Sequence, residues 1–351
     1  MTSEDGLSII IRYKTEIATV IAVFFLFLLF FFVLSPLLDG IVLGIVFAYV
    51  ARPIKTVFDS RSKTGSAVIA TAAITVPIFS ILGLGLIEIS NKIVWMMHNK
   101  DVLIAELNTL YSRLDIPEVI YTQIHSAFIN LSNTLMPALA QLPLFDYAKV
   151  IGLATINIVI SVIVCFYLLR DGEDGINRFL DLIPSNRLDV TKKFLAELDG
   201  ILTAIYIGNV YTAIIVAVVS LFIFLFFGFS SVLALSALIF LAALIPLFTG
   251  WMILLPLAIY KYILMGPAEA VTFFIVASIV IYGPPELIIR PYIIGSKSGI
   301  HPLLIILTFI GGGFVGGISG FFLAPMLLGA LIAAYRVYVP WKKDHIHSHS
   351  D

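Results

Sequence analysis

Stretches free of Asp, Glu, Lys and Arg divide the chain. They are Ile17–Leu38 (22 residues), Gly40–Ala51 (12), Thr64–Ile87 (24), Val150–Leu169 (20), Gly200–Tyr260 (61), Ala270–Pro285 (16) and Ser298–Tyr335 (38). About 20 apolar residues cross a bilayer as a helix. At 1.5 Å per residue the longest run would make about 92 Å of helix, against a hydrocarbon core of about 30 Å. The two longest runs therefore fold back. Gly228-Phe229-Ser230-Ser231 and Pro246-Leu247-Phe248-Thr249-Gly250 interrupt the first; Gly311-Gly312-Gly313 and Gly316-Gly317 interrupt the second. Gly and Pro loosen or end helices at such points. The pattern predicts an all-α polytopic membrane protein. Its expected form is about eight transmembrane helices, ten at most, with broken or re-entrant C-terminal hairpins.

Composition strengthens this. Of 351 residues 60% are apolar and 12% charged, with a mean hydropathy of +1.07. Soluble domains carry about 25% charged residues, and so apolar a chain could not cover itself with polar surface. Disorder, nucleic-acid binding and cytosolic enzymology are excluded as whole-chain descriptions. The net charge of −1 says nothing about partners. The single cysteine, Cys165, rules out a disulfide framework and reads as a small buried hydrophobe.

Lys and Arg set the orientation. With both termini cytoplasmic, 16 of the 21 basic residues fall inside; Lys92, Lys100, Arg113, Lys149 and Lys261 fall outside. Asp39 then occupies a tight external turn between the first two spans. The expected divisions are three spans in 1–89, an external amphipathic helical segment in 90–148, a fourth span in 149–169, a cytoplasmic amphipathic segment in 170–206, a C-terminal core with broken helices in 207–336 and a cytoplasmic tail in 337–351. In the external segment Ile120, Ile124, Phe128, Leu131 and Leu135 form a helical stripe. With Asp115-Ile116-Pro117 as a turn, the segment reads as a helical hairpin. The cytoplasmic segment opens with a polar turn over Arg170–Gly175 and turns again at Pro184-Ser185-Asn186. It ends in a helix whose face of Phe194, Leu198, Ile201 and Ile205 suits the membrane interface.

Ionisable groups persist in a membrane only at a cost of roughly 2.5–3.5 kcal/mol at its centre, so each is a candidate. Glu286 and Arg290 stand four apart among Pro284, Pro285 and Pro291. They read either as a charged gate on a broken element or as an interfacial ion pair. His301, just before Pro302, is a proton relay or an anchor at the start of a helix. Glu88 and Glu269 read as interfacial residues reaching for water. Asn157 and Asn209 offer helix-to-helix hydrogen bonds or line a cavity. Gly312, Gly316 and Gly320 present either one packing face or an unwound hinge. Pro246 and Gly250 mark a helix break beside a path. Alternating histidines at 345, 347 and 349 support only weak metal binding. No Walker motif, HExxH or nucleophile elbow is present, and no paired catalytic set occurs in the spans. An enzyme, a cofactor or an ATP-driven mechanism is therefore not expected.

Several motifs together resemble the autoinducer-2 exporter family of prokaryotic membrane transporters. They are Pro291-Tyr292-Ile293-Ile294-Gly295, Gly299-Ile300-His301-Pro302-Leu303, the paired Gly312-Gly313 with Gly316, and Gly320 with Ala324-Pro325. Phe166-Tyr167-Leu168-Leu169-Arg170-Asp171-Gly172-Glu173 followed by Ile183-Pro184, and Gly40–Pro53, add to the likeness. The chain departs at Pro246 and Gly250, one residue further apart than is common, at Gly208-Asn209, where Gly-Gln is common, and at Glu286, one residue closer to its proline. The resemblance implies a secondary transporter or exporter in a prokaryotic plasma membrane. Members are linked to export of a small polar signal and to sodium/proton antiport. The expected cargo is a small solute or a monovalent cation, driven by a proton or sodium gradient. The expected path or gate is Pro246, Gly250, Glu286, Arg290, His301, Pro302, Gly312, Gly316 and Asn209. The alternative is a non-transporting or channel-like scaffold, a homo-oligomer assembled through the external hairpin and the glycine face.

Overall fold

The computed structural model describes residues 14–59, 62–99, 144–244, 251–283 and 300–347, with isolated positions between 102 and 130. Every described element is a helix. They are α1 (Lys14–Leu34), α2 (Leu38–Phe58), α3 (Lys63–His98), α4 (Leu144–Asp181), α5 (Ser185–Phe226), α6 (Val232–Leu244), α7 (Trp251–Met265), α8 (Pro267–Ala277) and α9 (Pro302–His347). Among the described residues five stretches are long and apolar enough to cross a bilayer: Ala18–Phe58, Lys63–Trp95, Ala148–Asp181, Ser185–Phe226 and Leu303–Val339. Three shorter apolar helices accompany them. The architecture is that of a polytopic helical membrane protein.

Local chemistry explains where the helices begin and end. The Ser62 hydroxyl accepts the Gly65 N–H at 3.2 Å and caps α3. Gly228 ends α5 with a φ of 67°, and Gly266 separates α7 from α8 with a φ of 93° just before Pro267. Both are left-handed conformations that glycine adopts without a Cβ clash. A π-helical turn, Ser278–Tyr282, follows α8 and leads into Gly283-Pro284-Pro285.

Packing centres on α2 and α5. α2 lies against α4 at very close range: a Cβ on Gly40 would stand 2.5 Å from the Asn157 carbonyl oxygen, and one on Gly44 2.6 Å from Val164 Cβ. Two glycines one turn apart let the backbones approach, as small residues do between helices in lipid. α5 packs against α6, α9, α2 and α3, and buries Tyr206 and Phe224. By contrast, the large apolar side chains of α1 from Val20 to Val33 are all exposed, the condition of a helix whose neighbours are acyl chains.

Four expectations change. First, α1 does not fold back on α2 through a tight turn at Asp39. A 3-10 turn, Ser35–Leu37, joins them with right-handed helical backbone on both sides, and Asp39 lies in the first turn of α2. Second, Arg170–Gly175 is helical, inside α4. The Arg170 guanidinium lies over the Tyr167 ring at 4.6 Å and pairs with Asp171, while Asp174 pairs with Lys63 at 3.0 Å. These contacts occupy the polar side chains without breaking the backbone. Third, the stripe of Phe194, Leu198, Ile201 and Ile205 belongs to α5 and packs inward, with Ile201 and Leu198 against Gly329 of α9. Fourth, Lys261 is no external loop charge. It lies in α7, buried to 2% exposure, donates to the Phe227 carbonyl that closes α5, and sits over the Phe229 ring. A cation at a helix C-terminus meets the negative end of its dipole. The Cys165 reading holds: it is fully buried, 3.7 Å from the Thr71 hydroxyl.

Candidate functional site

α9 is broken in its first half. Gly316 (φ −130°, ψ 20°) and Gly317 (φ 56°, ψ −135°) leave the helical region. The arms on either side fold onto each other. A Cβ on Gly312 would collide with the Gly320 carbonyl, and one on Gly320 with the Gly312 carbonyl. Phe309 and Phe321 meet in a tilted contact, 4.7 Å between ring centroids, across the break. Phe314 and Val315 stand almost fully exposed at the tip. The spacing of Gly312, Gly316 and Gly320 thus does not mark one face of a continuous helix. Gly316 makes the bend, and the outer two glycines let the arms touch.

Side chains from other helices close the backbone groups that such breaks release. Asp39 Oδ1, from α2, accepts the Ser319 N–H at 2.8 Å, at the start of the second arm. The Ser319 hydroxyl donates to the Gly316 carbonyl at 2.9 Å. Asn157, from α4, accepts the Gly40 N–H at 2.7 Å and donates to the Pro36 carbonyl at 2.9 Å. Glu88, from α3, accepts the Ala234 N–H at 2.6 Å and so caps α6. Glu88 is therefore not a residue reaching for water; its charge sits at the positive end of a helix dipole. Glu88→Ala is expected to lower stability by about 1 kcal/mol, the usual worth of an N-terminal cap. Thermal unfolding of the purified protein in detergent would show it, and an unchanged midpoint would remove the cap.

Beside the break lies an apolar cavity of about 490 Å³. Leu43, Phe79, Val210, Phe240 and Phe321 line it, together with Gly317. Five helices therefore meet at one hollow, and the broken one gives it a wall of bare backbone. Its volume suits a small molecule. Another hollow, of about 640 Å³, lies between α3 and α4 beside Val68, Thr71 and Phe166 and touches no helix break.

The residues expected on the path divide as follows. Gly312 and Gly316 form the break just described. His301 is exposed at the start of α9, where its Nδ1 accepts the Leu303 N–H at 3.3 Å, and Pro302 takes the first helical position. Asn209 is buried in α5 at 5% exposure, next to Val210 on the cavity wall. Pro246, Gly250, Glu286 and Arg290 lie outside the described residues, as does most of the expected external hairpin. Asp39 and Glu88 at helix starts, and the Gly40 and Gly44 contact, were not anticipated as site chemistry. Only the four-residue glycine spacing signalled the last of these.

Ion pairs tie three helices together. Arg52 of α2 donates Nη1 to both oxygens of Asp199 of α5 at 2.9 Å, and Arg336 of α9 pairs with Glu197 at 2.7 Å. All four side chains remain roughly one-third to one-half exposed, so each pair adds little stability. They fix register more than they add energy.

The described residues form a polytopic helical membrane bundle with capped helix starts and a small-molecule-sized cavity beside the α9 break. The AI-2E family transporter profile matches residues 20–340, and the chain belongs to that family. It is 38% identical over 311 residues to a protein of Archaeoglobus fulgidus named "Putative transport protein", covering 88% of this chain and 90% of the relative. A protein of Methanocaldococcus jannaschii named "Putative transport protein MJ1177" and one of Methanothermobacter thermautotrophicus named "Putative transport protein" are each 26% identical; the matches cover 88% and 89% of this chain, and 92% of each relative.

Proposed function

We propose that the protein is a secondary transporter that exports a small organic solute with an apolar body, driven by a proton or sodium gradient. It would sit in the plasma membrane of a prokaryote with both termini cytoplasmic, as the Lys and Arg distribution implies. The observation that carries the reading is the apolar cavity walled on one side by the α9 break. Aromatic and aliphatic side chains favour an apolar solute. A bare monovalent cation would lose its hydration there, and the lining side chains offer no replacement ligands. Backbone that leaves the helix beside a cavity is the arrangement by which transporters move one element against another. Glu286 and Arg290 remain proposed as the charged gate.

The test is flux in proteoliposomes under an imposed proton or sodium gradient, with a panel of small aromatic and aliphatic solutes and with cations alone. Wild-type protein is expected to move at least one such solute. Leu241 lines the cavity yet is 48% exposed, so Leu241→Trp should fold while filling the mouth. That variant is expected to lose most of the solute flux. Cation exchange without any solute movement, unchanged by Leu241→Trp, would overturn the organic cargo. No flux of any kind would overturn transport.

A further inference from the structure

The α9 break is held by one acidic side chain from outside α9. Asp39, in the first turn of α2, accepts the backbone N–H of Ser319, two residues past the positive-φ Gly317. An ionised carboxylate is a strong partner for a helix N-terminus, because the bond is charge-assisted and the helix dipole favours a negative charge. Once the carboxyl takes up a proton, both advantages go. Asp39 is half-buried, inside the stretch Ala18–Phe58. Of the helices packed on α2, α3 carries Glu88, which is committed to the Ala234 N–H, and α5 carries no ionisable group after Tyr211. α9 faces it with Ser319 and the hinge glycines, none titratable. α4 brings Asn157, whose amide is already committed to Gly40, Pro36 and Leu153. The nearest ionisable residue preceding Asn157 on α4, Lys149, is exposed and two turns away. Among the described residues no basic side chain pairs with Asp39. His301 lies at the far end of the first arm, where it accepts the Leu303 N–H.

We propose that Asp39 is a proton-responsive latch on the α9 hinge. Ionised, it holds the start of the second arm and keeps the chain folded at Gly316-Gly317. Protonated, it releases Ser319, and the angle between the arms changes at two glycines that tolerate many backbone conformations. Gly313 and Gly317 line the cavity from one side of the break, and Leu43, one turn beyond Asp39, lines it from another. A proton on Asp39 therefore alters the cavity wall. In transport terms, which rest on the function proposed above, this carboxylate is the point where a proton gradient acts on the path.

The experiment reads the hinge directly. Full-length protein carrying Cys165→Ala, with spin labels on cysteines at the exposed positions Leu304 and Leu331, is placed in phosphatidylcholine nanodiscs. The inter-arm distance is followed from about pH 8 to about pH 4, through the range where aspartates titrate. The expected result is a shift in the distance distribution with a single titration. Asp39→Asn keeps an acceptor for Ser319 but has no charge to lose, so it should hold one distribution throughout. Ser319→Pro removes the backbone donor at an early helical position, together with the hydroxyl bond to the Gly316 carbonyl, and should also abolish the pH response; Ser319→Ala, which removes the hydroxyl alone, should keep it. Any shift from His301 would survive in Asp39→Asn and Ser319→Pro and so be told apart. No shift in the parent protein, or an undiminished shift in Asp39→Asn, overturns the latch. A hinge shift in protein that carries no flux would leave the latch standing and remove the transport reading; pH-dependent flux with a motionless hinge would do the reverse.

Discussion

Gly320→Val is expected to abolish the folded α9 hairpin. The Cβ that valine brings would occupy the place of the Gly312 carbonyl, and the atoms in the way are backbone, not the far end of a flexible side chain. Relief requires the arms to part. That would undo the ring contact of Phe309 with Phe321 and strain the bond from the Tyr206 hydroxyl to the Phe322 carbonyl in the same turn. Overpacking a tight core typically costs about 1–3 kcal/mol, and backbone obstruction belongs at or above the top of that range. The measurement is monodispersity and thermal midpoint in detergent. Gly313→Ala is the control: its Cβ would meet Phe321 at an ordinary 3.5 Å, and in a helix alanine is about 1 kcal/mol better than glycine. A Gly320→Val protein that is monodisperse with an unchanged midpoint would refute the close approach of the arms.

Asn157→Leu should be the next most damaging change. The amide of Asn157 accepts from Gly40 N–H and donates to the Pro36 carbonyl, which joins α4 to the start of α2 where the two helices lie closest. Pro36 is exposed, so its carbonyl can find another partner. Gly40 is buried and cannot. A buried donor left unmade costs about 1–3 kcal/mol, and leucine adds bulk against a glycine contact with no slack. Asn157→Asp, which keeps the acceptor for Gly40, should fall between leucine and wild type. The order wild type, Asp, Leu in unfolding midpoint is the expected result; equal midpoints for Asp and Leu would deny the Gly40 bond its importance.

Much of this was legible along the chain. Runs of uncharged residues located the helices, and Gly228 and the Gly316-Gly317 pair located two of the breaks, because glycine and proline act on the backbone within a residue or two of where they stand. The glycine pattern of α9 was ambiguous for a definite reason. Spacing of four is the same whether the helix runs straight or folds, and the difference lies in two φ values at Gly316 and Gly317. Asp39 looked like a turn residue because it falls between two apolar runs. Its partner, Ser319, is 280 residues away, and no local pattern relates them. Glu88 and Ala234 are likewise 146 residues apart. Lys261 appeared solvated because a lysine at the end of an apolar run usually is; the Phe227 carbonyl and the Phe229 ring that receive it lie on another turn of the fold.

The membrane class, the approximate helix positions and the family likeness were decided by sequence alone, since burial in lipid is a property of composition summed over a span, and motifs are read in order. What the tertiary structure decided is where the few polar side chains go. A helix end inside a bilayer releases donors and acceptors that water cannot reach, and only a side chain brought from a distant helix can satisfy them. The pairing of Asp39 with Ser319, Asn157 with Gly40 and Glu88 with Ala234 therefore exists only once the bundle has closed.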